Sequence, residues 1–60
     1  MATLTSKELG SINDALIGEQ LKINKAGEYA AQVTDPALKA EFEKEKKLHA
    51  AHFERLYSLL

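Results

Sequence analysis

In the stretch "EKKLHAAHF" two histidines, His49 and His52, stand three residues apart, with Glu45 four residues before the first. On an α-helix residues three and four apart are neighbours, so Glu45, His49 and His52 share one side. Two imidazoles and a carboxylate can act together in two ways. They are a nitrogen and oxygen donor set suited to zinc, iron or manganese. They can also hydrogen-bond one another with no ion present. Which chemistry is available depends on whether that side faces water, a packed core or another helix.

The elements that carry these residues are legible from caps and periodicity. "LTSKEL" is a helix start: Thr5 can cap the first turn, Glu8 can reach back to it, and Leu4 and Leu9 can clasp across the cap. Leu9, Ile12, Leu16, Ile23, Ala26, Ala30 and Val33 then recur at three- and four-residue steps, the period of a helix with one buried face. In "VTDPAL" Asp35 is placed to cap a second helix whose first residue is Pro36, where a missing N–H costs nothing. Leu38, Phe42, Leu56 and Leu59 follow on one stripe. The expected architecture is all-α, a single domain over residues 1–60. Helix 1 runs over about 5–33, the turn over 34–35 and helix 2 over about 36–60. So short a turn permits only antiparallel packing.

A hairpin centred near Thr34 and Asp35 sets a register in which Glu19 and Gln20 lie level with His49, and Gly27 meets Phe42. At about 100° per residue, Leu38, Glu45, His49, His52 and Leu56 fall in one wedge of roughly 60°. Glu19 stands where the repeat of helix 1 wants an apolar residue. Glu19, Gln20, Glu45, His49 and His52 are therefore expected to form a polar belt in the middle of the apolar face. Unpaired burial of such groups is costly. Three readings satisfy them: a metal site, a Glu–His network that fixes register and dimer partner, or a wet opening in the bundle.

Length and composition limit the rest. A 60-residue chain of 6.6 kDa without cysteine has neither disulfides nor thiolate ligands to staple it, and is hard to stabilise alone. The expectation is a homodimer in which two hairpins form a four-helix bundle. Ile17 and Leu21, off the main stripe, are two residues that need such a partner. Eight basic against nine acidic residues, with no basic block, leave no electrostatic footprint for nucleic acid or an anionic membrane. No apolar run approaches a membrane span, and the first residues lack the apolar core of a secretory signal. Ser6, Ser11 and Ser58 lie far along the rods from the histidines, so no catalytic residues of a hydrolase are expected.

The order "LTSKEL", "GEQLKINKAGEYAAQVTDPALKAEFE" and "HAAHFERLYSLL" resembles the Coat F (spore coat protein F) family of spore-forming Firmicutes. The specific positions are Glu19, Tyr29, "DPALK" and "HAAHF". The resemblance covers nearly the whole chain. It implies a ferritin-like bundle of paired hairpins, a link to the spore coat or sporulation with other coat proteins as partners, and no established catalysis; a cytoplasmic place is the expectation from the missing secretory signal alone. The wider ferritin group uses a Glu on one helix and Glu-x-x-His on the next to hold two metal ions. Glu19 matches the first element. Lys46 and His49 stand three before the two histidines, where that motif has glutamate, so a carboxylate-rich di-iron oxidase is disfavoured. The leading expectation is a non-enzymatic structural protein. The alternative is a metal-binding ferritin-like protein, for redox or storage, with Glu19, Glu45, His49 and His52 as ligands.

Overall fold

Thr5, in extended conformation, accepts the backbone N–H of Glu8 at 3.0 Å while the Glu8 carboxylate accepts that of Thr5 at 2.8 Å. This reciprocal cap opens helix α1, Ser6–Gln32. The two bonds satisfy donors that a helix start otherwise leaves orphaned. They also hold the Glu8 carboxyl below its ordinary pKa, the backbone bond from Thr5 being the larger cause. Thr5→Ala is expected to lower stability by about 1 kcal/mol in a urea melt followed by circular dichroism; an unchanged midpoint would remove the cap from the stability account.

Three residues, Val33 to Asp35, turn the chain into α2, Pro36–Tyr57. Asp35 caps it by accepting from Leu38 N–H at 2.9 Å, with Pro36 in the first turn. Lys39, one turn into α2, reaches back and donates to the Ala30 carbonyl at 2.7 Å. That carbonyl belongs to the last turn of α1, which has no intrahelical partner and carries the negative end of the helix dipole. The lysine thus ties the two helices across the turn.

The structure, a computed structural model, describes residues 3–60; residues 1 and 2 of the expected 1–60 hairpin lie outside the described residues. Among the described residues there is no strand, and no helix is long and apolar enough to cross a membrane. The two helices pack against each other as an antiparallel hairpin. Helix α2 stops at Tyr57, short of residue 60. Leu59 and Leu60 N–H groups bond the Leu56 and Tyr57 carbonyls at 3.0 Å, and Ser58 Oγ donates to Arg55 O at 2.6 Å, so the last residues close a tighter turn.

The core is thin. Only Leu16, Ala26 and Ala30, all on α1, are buried among the described residues; α2 buries none. The small side chains of Ala26 and Ala30 let the helices approach closely near the turn. The rings of Tyr29 and Phe42 meet there at 5.2 Å. The register expectation holds for Glu19 and His49, which are in contact. It is corrected at Gly27: the space a side chain would fill there is met by the Lys46 stem, 3.8 Å away, and Phe42 goes to Tyr29 instead.

The molecule measures 47 × 17 × 9 Å, one helix deep in its thinnest direction. A folded chain of its mass exposes about 3,900 Å² by the usual scaling of surface with mass. The hairpin exposes 4753 Å². Ile17 and Leu21 are both more than half exposed, and Leu9, Leu38, Leu48, Leu59 and Leu60 are also open to solvent.

A carboxylate and two histidines at the helix seam

Glu19 follows the buried Leu16 by three residues and precedes the buried Ala26 by seven, so helical periodicity turns its side chain into the seam. The antiparallel turn sets it level with His49 of α2. His49 Nδ1 lies 2.7 Å from Glu19 Oε2 in a charge-assisted hydrogen bond. An ionised carboxylate can only accept, so the proton sits on Nδ1. His52 Nδ1 is 3.8 Å from the same oxygen. The two imidazole rings stand edge to face, centroids 5.8 Å apart at 80°. One ligand atom from each of Glu19, His49 and His52 lies within 4.8 Å of the others, close enough to hold a metal ion.

Glu45 is placed differently. Its Oε2 lies 3.5 Å from His49 Nε2, the far nitrogen of the ring, so it stands behind the cluster and not inside it. The side chains of Glu19 and His49 are 14% and 18% exposed, His52 38% and Glu45 54%. The expected belt is therefore graded, covered at the seam and wet at its outer edge. Gln20 turns away and donates to Asn24 Oδ1 at 3.0 Å on the exposed face.

Lys22, one turn beyond Glu19, approaches Oε1 at 3.8 Å. The carboxyl of Glu19 is held below its ordinary value of 4.5, chiefly by the His49 hydrogen bond, with weaker help from the charges of Lys22, His49 and His52; desolvation opposes them. A carboxyl with a depressed folded-state pKa stabilises the fold fully above its unfolded value, and that contribution is lost as pH falls through the folded value. The melting-temperature difference between the natural chain and Glu19→Gln is thus expected to shrink as the pH falls below 4.5. A difference that grows on acidification would contradict the bond as drawn.

Two shallow grooves meet at the cluster. Arg55, Leu56, Ser58 and Leu59 line one with Glu19 and His52, so Ser58, expected far from the histidines, shares a groove with one of them. Ala26, Tyr29 and Phe42 line the other with Lys22, Lys25, Glu45 and His49. The spacing of Arg55, three after His52, could have marked it as a member of this face; the sequence reading did not include it. Fold and site together define a helical hairpin with a carboxylate–dihistidine cluster at mid-seam, flanked by open apolar grooves. No protein-family model matches the chain, and neither the curated proteins nor the solved structures compared with it include a match.

Proposed function

We propose that the chain is a non-enzymatic structural protein that works as a homodimer, two hairpins joining through the face that carries the cluster into a four-helix bundle. The observation that carries this is the uncovered apolar surface. Leu9, Ile17, Leu21, Leu38, Leu48, Leu59 and Leu60 stand open to solvent, and the total accessible surface, polar and apolar together, exceeds that of a folded chain of this size by about 900 Å², against the roughly 800 Å² per partner that a stable interface buries. A second copy is the occupant that matches it in length, and the two grooves give its helices apolar seats on either side of the polar belt. The belt then fixes register, because any offset would leave Glu19 or the histidines against leucine. The setting proposed for this dimer is the spore coat or the sporulating cell, among other coat proteins, on the likeness of Glu19, Tyr29, "DPALK" and "HAAHF" to the Coat F family.

A dimer melts at a temperature that rises with chain concentration, because association stabilises the folded state by mass action. Melts followed by circular dichroism across a dilution series are expected to show that rise. A melting temperature independent of concentration would overturn the proposal.

One observation favours a second reading. Glu19, His49 and His52 already lie within ligating distance of one another. On this reading the protein is a ferritin-like metal binder, for redox or storage, taking zinc, iron or manganese. Elemental assay of the purified chain separates the two: a stoichiometric metal supports the second, and metal-free protein that does not respond to added metal excludes it.

A further inference from the structure

We propose that Glu19, His49 and His52 form a mononuclear site for a divalent first-row metal ion, bound through Nδ1 of both histidines and Oε2 of Glu19, in which Glu45 is the residue that orients His49. The inference rests on the metal-binding reading above and deepens it.

The choice of nitrogen follows from the contacts. Both Nδ1 atoms face the same Glu19 oxygen, at 2.7 and 3.8 Å. Around a tetrahedral ion with bonds of about 2.0–2.1 Å, neighbouring donor atoms are about 3.4 Å apart. The two separations straddle that value. The shorter must open by about 0.7 Å and the longer close by about 0.4 Å, within reach of small side-chain rotations. Two imidazoles with a single carboxylate suit zinc or ferrous iron better than calcium or magnesium, which take oxygen ligands. Three protein donors leave a four-coordinate ion one position for water.

The role of Glu45 follows from where its carboxylate lies. It is on the opposite edge of the His49 ring, 3.5 Å from Nε2. Without metal the Nδ1–H of His49 donates a hydrogen bond to Glu19 Oε2. When an ion takes the Nδ1 lone pair, a neutral ring must carry its one proton on Nε2, and Glu45 is the group placed to accept it. The proton changes nitrogen and none is lost or gained. Carboxylates behind a ligating histidine act in this way, fixing the tautomer and the ring angle.

Zn²⁺ titrated into the full chain by calorimetry is the test. One ion per chain is expected, with binding lost in Glu19→Gln and in His52→Ala. Glu45→Gln is expected to keep the stoichiometry and weaken affinity by about tenfold or more; its side chain is more than half exposed, so helicity should be unchanged. In the zinc-loaded natural chain, ¹⁵N imidazole spectra should show His49 metallated at Nδ1 and protonated at Nε2, a readout that needs no variant. Absence of saturable binding overturns both the metal reading and this inference, as does binding that survives Glu19→Gln and His52→Ala. One zinc per chain with Glu45→Gln binding as tightly as the natural chain, or with His49 metallated at Nε2, leaves the reading standing and overturns the inference. One zinc per two chains overturns the mononuclear site.

Discussion

Leu16→Ala is expected to leave the chain largely unfolded at room temperature. Leu16 is the one large side chain buried among the described residues, the other two buried there being alanines. Removing a buried leucine side chain beyond Cβ typically costs about 2–5 kcal/mol, more where the surroundings cannot collapse into the gap. The cores of domains this small rarely supply more than about 3–5 kcal/mol in all. One substitution therefore consumes most of the stability. Leu16→Met, which keeps the volume, should cost less than about 1.5 kcal/mol and remain folded. Helicity by circular dichroism with a urea melt reads both variants. Native helicity and an unchanged midpoint in Leu16→Ala would show that the stabilising contacts lie elsewhere.

The second large effect is expected at a residue the hairpin hardly uses. Leu59 is 55% exposed and lines the groove beside His52. In a protein that functions as a single hairpin, Leu59→Glu is an ordinary surface change worth less than about 0.5 kcal/mol. In the proposed dimer it places an unpaired carboxylate against apolar surface, which is strongly unfavourable. Association should weaken by at least about a hundredfold, equivalent to about 2.7 kcal/mol. Because folding and association are coupled, the variant should also lose helicity on dilution more readily than the natural chain. Sedimentation at matched concentrations decides it. An unaltered mass would move the interface away from this groove.

The helix ends were the most legible part of the chain. Thr5 with Glu8, and Asp35 with Leu38, are local signals whose partners lie three residues away, so sequence spacing alone determines the contact. The Glu19–His49 pairing is long-range, yet it could be read because a short antiparallel turn fixes which residues are level. What spacing left open was rotation about the helix axis. A wedge of roughly 60° includes both the seam and the open side of a two-helix layer. Glu45 and His49 share that wedge, but His49 enters the seam and Glu45 stays half exposed. Height without rotation also misplaced Phe42, which turns to Tyr29 while the long Lys46 stem covers Gly27. The Lys39 bond to Ala30 O depends on the reach of a flexible side chain across the turn, for which a sequence pattern has no counterpart.

The cluster and the thin core have a common consequence. A pair of helices one helix deep can bury little, and Glu19, His49 and His52 take up part of its seam with polar groups. Such an arrangement is costly for a lone hairpin. It becomes useful when a second layer covers the face, since a polar belt in an apolar interface allows one alignment of the two layers and penalises the others.

Self-association of the hairpin is the claim on which the rest depends, and static light scattering on the purified chain at micromolar concentration, with helicity recorded on the same sample, tests it most directly. A helical species of twice the 6.6 kDa chain mass is the expected result. A fully helical, cooperatively melting particle with the mass of one chain would contradict it.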